Sequence, residues 1–439
     1  MLKRKAYDKL LEWKNANNKK CLIVKGARQV GKTYLVREFG KREYDSFVEL
    51  NFVTNPEYKD IFSGSLSGEE IYKRMTANLP DISMIPGRTL IFLDEIQRCG
   101  KARTALKFMA EDGRYDVIAS GSLLGLSYGR DDDGEVDEVE SVPVGYEIPL
   151  MMYSMDFEEF LWANGYSEES VDVLREFYDR KETVPEVIHQ KYESLVREFI
   201  IVGGMPEVVA DFVNNKDFNR VLDIQLRLLS DYEDDIAQHA KGVEKIKVRR
   251  CYDSIPNQLA RENKKFKYSE VEKNSTAKKY GDSIQWIIDA NMAYSCINVC
   301  NPQLPLRYNE KENEFKLYIN DTGLLMTLYG KETKRAVFNN TLTGFTKGGI
   351  YENFVAENLI KNGYDLHYFK PNDEMEIEFI IEKNAAIVPV EVKAGNTATK
   401  SLNRFMEKYE SKIAYKVING NLGVSDGKIS LPHYMVMFI

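Results

Sequence analysis

Cys21-Leu-Ile-Val-Lys-Gly26-Ala-Arg-Gln-Val-Gly31-Lys-Thr33 is the stretch that decides the fold. A short apolar run leads straight into a glycine-bounded loop, and Thr33-Tyr-Leu-Val-Arg-Glu-Phe39 then opens in a helical pattern. Strand, loop and helix in that order make an anion cradle: the loop turns its backbone N–H groups inward, and the helix adds the positive end of its dipole. Gly26, Gly31, Lys32 and Thr33 keep the spacing of a phosphate-binding loop. In such a loop the backbone of Gly26, Ala27, Arg28, Gln29, Val30 and Gly31 wraps the phosphates of ATP. Lys32 supplies a point charge to the β- and γ-phosphates, and the Thr33 hydroxyl is placed to ligate Mg2+. A plain glycine turn with an incidental lysine would share the spacing, but here both flanking elements are present.

A second stretch, Thr89-Leu-Ile-Phe-Leu-Asp-Glu-Ile96, is an apolar run ending in two adjacent carboxylates. Beside the loop, at the carboxyl end of a parallel strand, Asp94 would hold the Mg2+ hydration shell. Glu95 would orient and polarise the attacking water, making Glu95 and Lys32 the catalytic pair. Asp-Glu after a strand can also be a solvated turn, but the loop calls for a partner of this kind. A further apolar run, Asp116-Val-Ile-Ala-Ser-Gly-Ser122, ends in hydroxyls. Ser120 or Ser122 is the candidate γ-phosphate sensor; a hydroxyl capping the next helix is the competing reading.

At 439 residues the chain is too long for one ordinary core, and two to four domains are expected. An apolar fraction of 43% with 29% charged residues describes a globular protein, and a net charge of −8 argues against a uniformly basic nucleic-acid binder. The N-terminus mixes charged and apolar residues at helical spacing, unlike a signal peptide, and no apolar run approaches the ~20 residues needed to cross a bilayer. The expectation is a cytoplasmic protein with no membrane partner. Five scattered cysteines and four histidines give no zinc spacing.

In chain order, a helix to about Asn18 precedes the loop strand, and Ser46–Phe52 is a second strand. A helix near 68–79, the Asp94 strand, a helix over 102–112 and the Ser120 strand follow. Strands alternating with helices predict a parallel sheet covered on both faces. From Asp131 to Glu140 seven of ten residues are acidic, a surface run whose like charges repel. Residues 157–238 read as helices, with apolar spacing in 192–201 and 221–229 broken at Gly203-Gly204-Met-Pro206. In a nucleotide-driven ATPase this is the expected lid.

Several stretches together resemble the prokaryotic AAA-type ATPases that end in a domain of unknown function, DUF4143. They are Gly26–Thr33, Leu93–Gln97, Ala119–Gly125, Pro143–Gly145, Met155–Ala163, Ile201–Val209, Phe315–Leu325 and Val390–Gly395. The likeness runs through nearly the whole chain. Relatives often carry a basic residue where this chain has Tyr146 after Gly145, so Arg98, Arg103, Arg114 and Arg130 are the alternatives for any arginine finger. An oligomer is compatible with this family.

After Lys241 the charge reverses, with eleven Lys or Arg against five Asp or Glu up to Lys279. Helices over 248–262 and 277–290, then strands over 294–299 and 315–319, suggest a winged helix-turn-helix, and the resemblance supports it. Thr276, Lys278 and Lys279 would open the recognition helix and contact DNA; packing on neighbours with solvated lysines is the competing reading. The last segment begins near Gly348. Glu352 on a helix, Glu378 on a strand and Glu391-Val-Lys393 on the next resemble the restriction-endonuclease-like fold, where carboxylates hold a divalent metal and the lysine activates water. Glu391 and Lys393, two apart, share one strand face. Glu378 departs from the usual Asp.

The chain therefore reads as an α/β protein. A P-loop NTPase parallel sheet with helical lid spans 1–238, a winged helix spans 239–335, and a nuclease-like α/β domain spans 336–439. The expected activity is Mg2+-dependent ATP hydrolysis coupled to DNA. The alternatives are a nucleotide-regulated interaction module with little turnover and an active metal-dependent nuclease.

Overall fold

The computed structural model describes residues 2–17, 19–79, 82–122, 145–239, 243–372, 375–394 and 400–439. The chain forms two units, one built on Lys3–Tyr153 and the other on Ser154–Ile288 with Met292–Ile439. The acidic run 131–140, Pro143 and Arg130 lie outside the described residues.

The first unit is a parallel sheet in the order β2-β3-β4-β1-β5: β1 Cys21–Gly26, β2 Ser46–Asn51, β3 Thr89–Asp94, β4 Asp116–Ser122 and β5 Glu147–Met151. Among the described residues four α-helices accompany it: α1 Lys5–Lys14, α2 Lys32–Glu43, α3 Gly68–Asn78 and α4 Gly100–Asp112. The strands are apolar on both sides, and their two-residue period splits the core in two. Ile23, Ile91, Leu93 and Ala119 pack with Ile71, Met75, Leu106 and Met109 of α3 and α4. Leu22, Val24, Phe92 and Ile118 pack with Leu10, Leu35, Val36 and Phe39 of α1 and α2. After β1 the chain crosses to the far edge and returns through β3 and β4. The strand order therefore reverses beside β1, which places a ligand crevice outside its carboxyl end.

In the second unit five helices come first: α5 Phe157–Ala163, α6 Glu168–Arg180, α7 Glu186–Val202, α8 Pro206–Asn215 and α9 Phe218–His239. Next are α10 Val243–Leu259, the short α11 Tyr268–Val271 and α12 Ala277–Asp289, then β6 Ala293–Val299 and β7 Glu310–Ile319. Then follow α13 Thr322–Tyr329, α14 Lys331–Phe338, α15 Gly344–Lys361, β8 His367–Asn372, β9 Met375–Lys383, β10 Ala386–Val392 and α16 Lys400–Lys408. β11 Ala414–Ile418, β12 Gly423–Ser425 and β13 Lys428–Pro432 complete it.

Two features of this unit differ from the segment borders the sequence suggests. The β6–β7 ribbon does not stand apart: β6 pairs in parallel with β8 at Ile297↔His367 and Asn298↔Tyr368, giving one sheet in the order β12-β13-β11-β10-β9-β8-β6-β7. Asn298 secures the join, donating to the Lys370 carbonyl at 3.2 Å and accepting from the Lys370 N–H at 3.0 Å. The helices over 157–239 belong to the same unit as this sheet. Tyr192 of α7 packs on Tyr434 with ring centres 5.6 Å apart, and Phe199 meets Phe354 of α15 at 6.1 Å. Among the described residues no helix is long and apolar enough to cross a membrane.

Two of the quoted stretches, 201–209 and 315–325, meet at one junction. The Gly204 N–H donates to Asp321 Oδ2 at 2.7 Å, while Asp321 Oδ1 accepts the Leu324 N–H at 3.1 Å and caps α13. A Cβ on Gly204 would stand 1.9 Å from the Met155 carbonyl oxygen, and one on Gly323 2.6 Å from that of Val202. Only glycine lets these backbones touch. Gly204→Ala should therefore cost about 3 kcal/mol or more, and chemical denaturation with an unmoved midpoint would contradict that account.

Candidate functional site

β1 delivers its last residue, Gly26, against β5, where a Cβ would lie 2.1 Å from the Met152 carbonyl oxygen. The loop then turns through two left-handed residues, Gln29 at φ 62° and Gly31 at φ 92°. Such a path gathers N–H groups on one side. Lys32 opens α2 with a buried side chain, and its ammonium donates to the carbonyls of Gly26 at 3.0 Å and Ala27 at 2.7 Å.

The Thr33 hydroxyl lies 3.0 and 3.1 Å from the two carboxylate oxygens of Asp94, at the end of β3. Asp94 is 1% exposed, yet three neutral donors reach it. Besides Thr33, Asn51 Nδ2 donates to Oδ2 at 2.8 Å, and the Ser120 hydroxyl donates to Oδ1. Strand register brings these together: Asn51 sits opposite Asp94 on β2, and Ser120 follows Ala119, the partner of Leu93. Asn51 is itself fixed, its Oδ1 accepting the N–H groups of Val53 at 3.0 Å and Thr54 at 2.9 Å. Burial raises the Asp94 pKa above the ordinary carboxylate range and the charge of Glu95 adds to this, while the Ser120 and Thr33 hydrogen bonds oppose it.

Glu95 follows in a left-handed conformation, φ 56° and ψ 46°, costly for a non-glycine residue and typical of functional turns. A single 3-10 turn over Ile96–Arg98 holds it, and Gln97 Nε2 donates to Glu95 Oε2 at 2.6 Å. The carboxylate and hydroxyl oxygens of Asp94 and Thr33 are the hard donors that Mg2+ takes, and their closeness fits that ion.

Residues 18–161 match the AAA domain model, and residues 347–434 match the domain of unknown function DUF4143. The chain thus carries an AAA domain followed by a C-terminal DUF4143 domain. Residues 193–335 match a further domain of unknown function, DUF8612. Among solved structures, a Walker-type ATPase of Pyrococcus abyssi is similar at 15% identity and a TM-score of 0.43, over 75% of this chain and 96% of that one. The ORC1 protein of Aeropyrum pernix, solved in complex with DNA, is similar at 12% identity and a TM-score of 0.31, over 77% and 94%. The RuvB Holliday junction branch migration motor of Thermotoga maritima is similar at 12% and 0.30, over 66% and 89%. No curated protein matches the sequence.

Within the AAA domain the structure gathers Gly26–Thr33, Asp94, Glu95 and Ser120. The Ser120 hydroxyl, expected to reach a γ-phosphate, is engaged by Asp94. Ser122 closes β4, and its side chain lies outside the described residues. Asn51 is the residue that sequence reasoning missed; its only signal was an amide at the end of an apolar run. Of the arginines, Arg103 is buried against Glu147 at 3.1 Å and Arg114 pairs with Asp112 at 2.7 Å. Lys107 lies over the Tyr146 ring, 5.2 Å from its centre.

In the DUF4143 domain Glu378 and Glu391 come together on Lys393, at 3.1 and 3.4 Å. Burial pushes Glu391 up to about 7, with Lys393 opposing and Glu378 adding. Glu352 is engaged elsewhere: Lys316 at 2.9 Å, Lys264 at 3.1 Å and the Tyr318 hydroxyl at 2.5 Å surround it. Lys316 also reaches Glu376 at 2.8 Å. Burial works against the Glu352 charge, but Lys264 and Lys316 outweigh it and hold the pKa at about 2. Among the described residues no three His, Cys, Asp or Glu side chains are grouped to hold a metal, so these residues do not fit the expected nuclease ion. Thr276, Lys278 and Lys279 are exposed at the start of α12, with Lys279 on Glu272 at 2.5 Å. Other basic residues of the segment are paired internally, Arg249 with Glu233 at 3.0 Å and Arg261 with Glu270 at 2.5 Å.

Because the folded-state pKa of Asp94 is raised, its charged form destabilises the ligand-free fold at neutral pH, and acidification relieves this. Asp94→Asn should raise the stability of the ligand-free protein by about 1–2 kcal/mol while abolishing Mg2+-dependent nucleotide affinity. Thermal melts with and without Mg2+-ATP check both halves, and a less stable, ligand-responsive variant would count against them. Glu352 has the opposite sign: its lowered pKa stabilises the fold above about 4.5, and that contribution fades as pH falls towards 2. Lys316→Met, which leaves buried Glu352 with Lys264 and Tyr318 but without its more buried lysine, should cost about 3 kcal/mol at pH 7. A loss under ~1 kcal/mol in urea unfolding would show the network to be dispensable.

Proposed function

We propose that the AAA domain hydrolyses ATP at the carboxyl ends of β1 and β3, with Glu95 as general base, and that nucleotide state is coupled to DNA binding through the second unit. The observation that carries the hydrolytic part is the convergence of Thr33, Asn51 and Ser120 on buried Asp94, one residue from a strained, half-buried Glu95. The loop N–H groups and Lys32 would bind the β- and γ-phosphates, and Thr33 with Asp94 would hold Mg2+. When bound, that ion neutralises the charge developing on the phosphate oxygens. Glu95 would take a proton from the attacking water as its oxygen bonds to the γ-phosphorus. The bond from that phosphorus to the β–γ bridging oxygen breaks, leaving ADP and phosphate.

DNA as the partner is supported by the order α10, α11, α12, β6, β7, three helices followed by a ribbon, and by exposed Thr276 and Lys278. A cytoplasmic setting belongs to this reading. The internal pairing of Arg249, Arg261, Lys264 and Lys279 favours a second one, a nucleotide-regulated interaction module with slow turnover. The nuclease-like reading draws support from the series α15, β8, β9, β10, α16, β11 and from Lys393 between two glutamates. The engagement of Glu352 by two lysines weighs against cleavage.

Glu95→Gln should lower Mg2+-dependent ATP turnover by about 10²–10⁴-fold while ATP binding persists. Duplex DNA should stimulate the wild type, and the stimulation should fade across a salt series. Turnover indifferent to DNA at every salt concentration, with no DNA retained in a binding assay, would leave the interaction module as the better account.

A further inference from the structure

Arg4 stands just ahead of α1, in a segment to which the nucleotide site assigns nothing. Its side chain is buried at 7% exposure, and its guanidinium spans two backbone oxygens. Nη1 donates to the Val30 carbonyl at 3.0 Å, and Nη2 to the Tyr153 carbonyl at 2.7 Å. Both acceptors flank the phosphate loop. Val30 lies inside it, between the left-handed Gln29 and Gly31, and Tyr153 follows β5, the strand against which Gly26 packs.

The Val30 carbonyl and the Gly31 N–H belong to one peptide unit, and a trans unit points the two in opposite directions. A donor that holds the carbonyl on one side therefore holds the N–H on the other. This plane ends at Gly31, φ 92°, whose lack of a Cβ leaves it free to rotate, and a flip would turn a carbonyl towards the phosphates. We propose that Arg4 is a positioning residue of the phosphate loop, fixing the Gly31 N–H for phosphate binding through the Val30 carbonyl and anchoring the loop to the end of β5 through Tyr153. The planar guanidinium fork suits two carbonyls at once; a lysine ammonium keeps the charge and loses the fork. The proposal rests on the nucleotide reading of the loop.

The test uses the full chain and compares wild type, Arg4→Lys and Arg4→Met. Titration with ATP and with inorganic pyrophosphate gives affinities, steady-state turnover gives KM and kcat, and thermal melts give stability. Arg4→Met should weaken ATP and pyrophosphate binding and raise KM about tenfold or more, the weight of one charge-assisted hydrogen bond. kcat should stay within about threefold, since the chemistry at Glu95 is untouched, and Arg4→Lys should fall between. Where Arg4→Met does not fold, Arg4→Lys still decides the matter by its KM. A lowered melting temperature with unchanged affinities would make Arg4 a mere latch and overturn the proposal, as would a fall in kcat at constant KM. A wild type that binds neither ATP nor pyrophosphate would instead overturn the nucleotide reading, and Arg4's role with it.

Discussion

One buried carboxylate sets the terms for the first unit. Asp94 lies at 1% exposure at the end of β3, a strand buried along its whole length, where a charge is costly without partners. Its partners come from three other elements: Asn51 from β2, Ser120 from β4 and Thr33 from α2. No local segment could assemble them. The parallel register of β2, β3 and β4 does so, because strands that run the same way finish together and present their last side chains on one edge.

The same edge concentrates backbone conformations that few residues adopt willingly. Gln29, Gly31 and Glu95 all have positive φ, and all three border the crevice beside β1. Such turns persist only where their surroundings over-determine them. Here the two apolar layers do this, with Ile23 and Leu93 on one side of the sheet and Leu22, Val24 and Phe92 on the other, leaving β1 and β3 little freedom to shift. Gly26 against Met152 closes the remaining gap. Rigid strands thus carry a strained loop and a strained turn towards one another.

Four of the five strands of this unit were legible because each is a continuous apolar run bounded by its own punctuation. β5 was not. Glu147-Ile-Pro-Leu-Met151 is an edge strand, half exposed and carrying Pro149, and neither an apolar run nor an alternation marks it. The phosphate loop, Asp94 and Glu95 were readable since their meaning lies in local spacing. Asn51 and Arg4 were not, since their contacts depend on cross-strand register and on a carbonyl 26 residues away. The second unit shows the same division. Its helices were foreshadowed by periodicity, but the pairing of β6 with β8 joins residues 70 positions apart, Ile297 and His367, across the border expected near residue 336. Likewise Glu352 was expected as a metal-holding carboxylate of a nuclease-like site, yet Lys316 and Lys264 reach it from other segments and pair with it instead.

The two buried acids differ in the chemistry of their surroundings. Asp94 is held by an amide and two hydroxyls, neutral donors that stabilise the carboxylate incompletely, and burial leaves its pKa raised. Such a site still lacks positive charge, and a cation arriving beside Thr33 would meet that lack. Glu352 is held by two ammonium groups and a phenol, and its pKa falls to about 2. There the protein's own lysines occupy the role a metal would fill, and a divalent ion would have to displace Lys316 from both Glu352 and Glu376. Glu391, beside one shared lysine and pushed up to about 7, lies between these extremes. The balance of neutral and cationic partners around each carboxylate therefore separates one whose direct hydrogen-bond donors are all neutral from one already neutralised by the fold.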